Sequence, residues 1–290
     1  LPQTDYLAPT SADQAVAALA EAGVGARVLS GGTDLLVQLR AGRLAPGLIV
    51  DLKRIPEAIG VRREAGGFVI GAATSGAMLG EHLALCEAWP GVVEAANLIG
   101  STQVQGRASL AGNLCNASPA ADSVPALVAA NATCVVVGPN GRREVPAQSI
   151  PVAPGQTSLT HGEFVLEIKL PAVGSRSADA YLRSIPRTEM DIAVVGVGVN
   201  LTLDGDGTIT RARVALGAVA PTVILAEDAA DAIIGSTLDD AAQDRLDAAA
   251  QAACRPISDK RGTVEFRTRI AGVLARRVAK IAYERAFLRA

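Results

Sequence analysis

The spacing of apolar positions changes repeatedly along this chain, and each change marks an element. After an extended stretch from Leu1 to Pro9, Ser11-Ala12-Asp13-Gln14 has capping-box spacing. Ala15, Val16, Leu19 and Ala20 follow at helical intervals until Gly23, which predicts a helix closed by glycine. Ala26 to Leu29 predicts a short strand, running directly into Ser30-Gly31-Gly32-Thr33. Asp34 to Ala41 then predicts a helix with Leu35, Leu36 and Leu39 inward, and Leu48 to Leu52 a second strand. Strand, glycine turn, helix and strand make a βαβ unit.

Further along, Val61 to Arg63 and Phe68 to Ile70 alternate about Ala65-Gly66-Gly67, the pattern of a hairpin. Helices are predicted from Ser75 through Cys86, from Pro90 to about Leu98, and from Asp122 to Asn131. Thr133 to Val137 and Arg142 to Val145 pair about Pro139-Asn140-Gly141, and Phe164 to Leu170 alternates as a strand beyond a loop at Pro151 to His161. Ala172 to Ser177 is small and polar, the composition of a boundary. Three strands follow it, Ala180 to Ile185, Ile192 to Leu203 and Ile209 to Val219, then helices at about Leu225 to Ile234, Leu238 to Ala253, and Val264 onward. On the last, Phe266, Ile270, Val273, Val278 and Ile281 approximate one apolar stripe. The result is an α+β chain whose second half is a β-meander covered by helices.

Composition narrows what such a chain does. At 290 residues it has room for two domains, and its formal charge of −2 is spread without clusters, which excludes a nucleic-acid or polybasic membrane partner. No apolar stretch is long enough to span a bilayer, and the first residues lack the pattern of a secretory signal. Cys86, Cys115, Cys134 and Cys254 form no C-x-x-C pair, and His82 and His161 stand alone, so metal-ligand spacing is absent. Reduced thiols and a cytoplasmic setting are expected. No Ser-His-Asp order or pair of carboxylates supports hydrolysis, so redox work would require a borrowed group.

Two segments remain that carry chemistry. Ala108 to Asp122 reads ASLAGNLCNASPAAD, rich in small residues, and Ser30 to Thr33 is the glycine turn. Successive N–H groups in such turns line a concavity that suits an anion, so together the segments form a cradle for a diphosphate-containing cofactor. In this reading Gly112 admits close main-chain approach, Ser109 and Asn113 donate to phosphate, and Asp122 accepts from sugar or ribityl hydroxyls. Taken alone, the glycine turn is usually just a tight turn, and a polar loop packed between subdomains accounts for the second segment equally well. Gly196-x-Gly198 lies inside a strand and reads as close packing, and Cys115 reads as a small packing residue.

At ASLAGNLCNASPAAD the sequence resembles the FAD-binding medium subunit of the molybdenum hydroxylases, the xanthine dehydrogenase and carbon monoxide dehydrogenase family. VLSGGTDLL (Val28 to Leu36), IVDLKRI (Ile49 to Ile55), MDIAVVGVGVNL (Met190 to Leu201) and ISDKRGTVEFR (Ile257 to Arg267) carry the same resemblance in the same order. It implies a two-subdomain FAD-binding region of the vanillyl-alcohol-oxidase or PCMH type over 1–173, divided near 56, and a C-terminal α+β domain over 178–290. It implies FAD in this chain, with [2Fe–2S] clusters on a small iron–sulfur subunit and a molybdopterin-type molybdenum cofactor on a large subunit, in a dimer of heterotrimers that passes electrons to an external acceptor. By resemblance the first FAD segment is Val28, Leu29, Ser30, Gly31, Gly32, Thr33, Asp34 and Leu35. The second is Ser109, Leu110, Ala111, Gly112 and Asn113, with Asp122, Val165 and Arg183 as further contacts. Ile99 stands where some relatives have an aromatic, and Ile192 closes a loop from Pro186, including Glu189, that relatives turn toward the flavin. Ala111 replaces the first glycine of a pair common in relatives, and Arg183 replaces a lysine. A stand-alone flavin oxidoreductase and a non-enzymatic scaffold of the same fold are the alternative functions. No side chain is expected to act as a catalytic acid or base.

Overall fold

Residues 4–188 and 190–289 are described by the structure, a computed structural model. Residues 1–3 of the expected extended stretch and Glu189 of the loop lie outside the described residues. Strand β1 (Asp5–Leu7) leads to α1 (Ala12–Ala22), which Ser11 starts by accepting from the Gln14 N–H at 3.3 Å. Gly23 closes the helix with φ of 56°. Then come β2 (Ala26–Leu29), α2 (Leu35–Arg40) and β3 (Leu48–Asp51). The three strands form one parallel sheet in the order β1-β3-β2, which places the glycine turn at the end of an edge strand.

The second layer is a five-stranded antiparallel sheet interrupted by helices. Strands β4 (Val61–Glu64) and β5 (Gly67–Gly71) form the expected hairpin. Helices α3 (Gly76–Glu81), α4 (Leu83–Ala88), α5 (Pro90–Ala96), α6 (Thr102–Gln105), α7 (Leu110–Cys115) and α8 (Ser123–Ala129) follow. The sequence then returns through β6 (Thr133–Gly138), β7 (Gly141–Pro146), a small β8 (Pro151–Ala153) and β9 (Gln156–Thr157) hairpin, and β10 (Phe164–Leu170). Strand order is β4-β5-β10-β6-β7, so β10 closes the sheet in its centre.

Beyond it, β11 (Ser177–Ser184), β12 (Val195–Leu203), β13 (Ile209–Gly217) and β14 (Ile224–Leu225) make an antiparallel meander. It is covered by α9 (Glu227–Asp231), α10 (Asp240–Ala253) and α11 (Val264–Leu288). One apolar core runs from Ala12 to Leu170 and takes in Tyr181 and Ala215, and a second spans Ala178 to Ala286. No helix among the described residues is long and apolar enough to cross a membrane.

Four expectations are corrected. The single helix from Ser75 is two, because His82 leaves helical geometry with ψ of 87° and its Nδ1 accepts from the Leu85 N–H to start the second. Leu36 is 44% exposed, because α2 turns Leu35 and Gln38 toward a cavity and leaves Leu36 on the outer side. The helix expected from Leu225 is shorter, because Ile224 and Leu225 pair with β13. On α11 the stripe holds in part, with Val278 buried and Ile270 and Ile281 packed against the second core, but Phe266 is 46% exposed and Ala271, Leu274, Ala275, Ala279 and Ala282 supply the rest of the buried face. The helix lies close against the meander, where methyl groups fit and large side chains are pushed to the margins.

Gly196 and Gly198 pack as expected. A Cβ at Gly198 would lie 2.6 Å from the Pro125 carbonyl oxygen, so α8 crosses β12 at backbone distance.

Candidate functional site

The two glycine-bearing segments meet. Ser30 Oγ and Ser109 Oγ lie 2.8 Å apart, although 79 positions separate them in sequence. Ser30 Oγ donates to the Ala72 carbonyl at 2.9 Å, which leaves the Ser109 hydroxyl as the donor between the two serines. Ser109 Oγ in turn accepts from the Gly112 N–H at 3.1 Å and caps α7. Both hydroxyl protons are therefore committed inside the protein.

Between these segments lies a cavity of about 400 Å³. Val28, Ser30, Gly31, Gly32, Thr33, Asp34 and Leu35 form one wall of it; Ser109, Ala111, Gly112 and Asn113 form another. Ile99 and Val165 complete the expected residues that line it. Gly31 is required by contact: a Cβ there would strike the Arg107 carbonyl. Gly32 is required by conformation, with φ of +77°. Among the described residues the N–H groups of Gly31, Gly32, Thr33 and Asp34 find no acceptor, and neither do those of Leu110 and Ala111 at the start of α7. Backbone donors left unpaired beside a concave site are the groups from which an anion cradle is built.

Several expected residues have other work. Leu110 is buried in the core, and Leu29 faces a shallow depression on the outer side of the glycine turn. Asn113 Oδ1 accepts from the Ser123 N–H at 3.1 Å and hydroxyl at 2.7 Å, which ties the cradle to the start of α8. Asp122 lies outside the cavity lining: its Oδ2 accepts from Arg183 Nη1 at 2.7 Å and its Oδ1 from Tyr181 OH at 3.3 Å. Burial pushes the Asp122 carboxyl above its usual range against the pull of Arg183 and of the two hydrogen bonds. Arg183 is itself buried, and its Nε has no partner among the described residues. Ile192 is 49% exposed and also apart from the lining.

The remainder of the wall was not foreseen. Arg27, Gln38, Gly155, Leu159, Glu163 and Phe164 line the cavity. The loop rich in Pro, Gly, Ser and Thr is the readable signal, because Gly155 N–H donates to the Ala117 carbonyl at 2.9 Å and folds that loop over the site. Glu163 is paired with Arg143 at 2.8 Å, which lowers its carboxyl to about 2. Cys115 also lines the cavity, and burial pushes its thiol up to about 12, away from nucleophilic chemistry. His161 is exposed and outside the lining.

Comparison with known proteins agrees along the chain. Residues 2–173 match the family described as the FAD binding domain in molybdopterin dehydrogenase, and residues 180–282 match the CO dehydrogenase flavoprotein C-terminal domain. The carbon monoxide dehydrogenase medium chain of Hydrogenophaga pseudoflava is 34% identical over 98% of both chains. A putative xanthine dehydrogenase FAD-binding subunit of Escherichia coli is 30% identical over 87% of each. Among solved structures, CO dehydrogenase from Oligotropha carboxidovorans superposes with a TM-score of 0.93 at 33% identity over 98% of both chains. Quinoline 2-oxidoreductase from Pseudomonas putida does so at 0.90 with 25% identity over 98% of both.

Proposed function

Because this chain belongs to the FAD-binding medium-subunit family of the molybdenum hydroxylases, we propose that the cavity between its glycine segments holds the diphosphate of FAD. The chain is an oxidoreductase subunit, and FAD is its cofactor. The observation that carries the site assignment is the convergence of Ser30 and Ser109, with unpaired amides of both segments on one cavity. The residues present fit a diphosphate, since the turn at Gly31 and Gly32, held without side chains by the Arg107 backbone and by Leu29, supplies amide donors without side-chain bulk.

Bound FAD supplies a redox group able to take electrons singly and release them in pairs. This chain's residues bind and orient it: the amides of Gly31 to Asp34 and of Ala111 hold phosphate oxygens. Val165 and Ile99 give apolar contact, and the loop at Gly155 excludes water. The FAD-binding part extends over 1–173 and the C-terminal part over 178–290. The chain works in the cytoplasm with a small iron–sulfur subunit and a large molybdenum subunit, as a dimer of heterotrimers, and delivers electrons to an external acceptor. Substrate choice belongs to the large subunit. A match to medium subunits over nearly the full length favours this reading over a stand-alone flavin enzyme or a scaffold.

The purified full chain should be yellow, and it should co-purify with two unlike chains carrying iron and molybdenum. Gly32→Asp and Gly112→Asp should each give colourless protein, because a side chain at Gly32 strains the turn against Leu29 at φ of +77° and a carboxylate at Gly112 opposes the diphosphate. Normal flavin content in both variants would overturn the assignment.

A further inference from the structure

Beside the first glycine turn, outside the cavity lining, stands Lys53. Its Nζ donates to the Ser30 carbonyl at 2.9 Å and lies 2.8 Å from Asp51 Oδ1. Asp51 is buried at the end of β3, directly across from Leu29 in the sheet. Its Oδ2 accepts from Tyr6 OH at 2.5 Å, and its Oδ1 also accepts from the Lys53 N–H at 2.9 Å. The ammonium is thus fixed between a clamped carboxylate and one main-chain oxygen.

We propose that Lys53 is a positioning residue for the FAD diphosphate, acting through the Ser30 carbonyl; this rests on the FAD reading of the cavity. The described peptide bonds include no cis bond, so a carbonyl turned toward Lys53 sends the N–H of the same peptide the opposite way. That N–H belongs to Gly31. Lys53 lines the outer depression, while Ser30, Gly31 and Gly32 also line the cavity. A peptide followed by glycine flips readily, since glycine accepts either sign of φ. The flipped peptide would aim a carbonyl oxygen at a phosphate. The lysine bond selects the conformer that presents a donor, while Asp51 beside it balances its charge. Tyr6 and Asp51 hold the lysine in place from the neighbouring strands.

The test uses the full chain and FAD, with affinity read by flavin fluorescence on titration and the bound diphosphate read by phosphorus NMR. Lys53→Met should weaken FAD binding about tenfold or more, the loss of one charge-assisted bond, and shift the bound phosphorus resonances. Lys53→Arg, which keeps a charged donor, should recover most of the affinity, and Tyr6→Phe should lose a smaller part. Wild-type affinity and unshifted resonances in Lys53→Met would overturn the proposal, as would a Lys53→Arg variant no better than Lys53→Met. If Lys53→Met does not fold, an unchanged affinity in Tyr6→Phe overturns it alone. A wild-type chain that binds no FAD instead defeats the reading of the cavity beneath it.

Discussion

Single residues in the cavity wall divide into those that face a ligand and those that hold the wall. Cys115 belongs to the second group. With its thiol pushed up to about 12 by burial, it is fully protonated at pH 8. Iodoacetamide at that pH should leave Cys115 unmodified in the folded chain, as mapped by peptide mass spectrometry, and Cys115→Ser should keep its FAD. Rapid alkylation at this position would contradict the packing role. Glu163 also holds the wall. The hydrogen bond from Arg143 outweighs its burial and lowers its carboxyl from 4.5 to about 2, so the folded state favours the ionised form. Its contribution to stability is complete above about pH 4.5 and is lost as the pH falls through about 2. Glu163→Gln should therefore flatten the fall in Tm across that acid window, while Tm curves that stay parallel to wild type would show that the ion pair carries no such linkage.

At the scale of elements, side-chain size decides where a helix may lie. The large apolar residues of α11 suggest one stripe, yet its alanines form the buried face. Only small side chains allow the helix axis to sit close to β11 and β12, and Leu274 fills the gap they leave. Leu274→Ala should cost about 2–5 kcal/mol in urea unfolding, whereas Phe266→Ala should cost much less, since its ring already meets solvent. Equal losses would restore the stripe that periodicity suggests. The same rule governs α8, which rests on the glycines of β12 through Pro125. The α11 stripe was misjudged at Phe266 because hydropathy weighs bulk, while close packing selects for its absence.

Across the whole molecule, the two cores are joined by polar groups as well as apolar ones. Asp179 on β11 accepts from the N–H groups of Gly91 and Val92 at 3.0 and 2.9 Å and so caps α5 from the other lobe. Burial pushes its carboxyl up to about 7. Glu94 pairs with Arg285, and Asp122 with Arg183. The second pair is nearly solvent-free. Asp122→Asn should strand the Arg183 charge and cost about 3–5 kcal/mol, read as a lower urea midpoint, while Asp122→Asn with Arg183→Met should recover part of the loss. If the double variant is less stable than the single one, the pair is a net source of stability that the burial penalty does not offset.

Much of this was legible in the sequence because it is local. Ser11 as a cap, Gly23 as the stop of α1 and the hairpin about Gly66 each depend on neighbours within one turn or one strand pair, where sterics leave few solutions. The glycine segments were legible as bare main chain for the same reason. What they could not disclose singly was each other: 79 positions of chain separate Ser30 from Ser109, and only the folded sheet brings their hydroxyls to 2.8 Å. The third wall at Gly155 and Glu163, the diversion of Asp122 to Arg183, and the lysine beside the turn are likewise products of long-range packing. Local stereochemistry determined which residues were able to form the site; tertiary contacts decided which of them face it, because orientation is set by partners that lie far away in the chain.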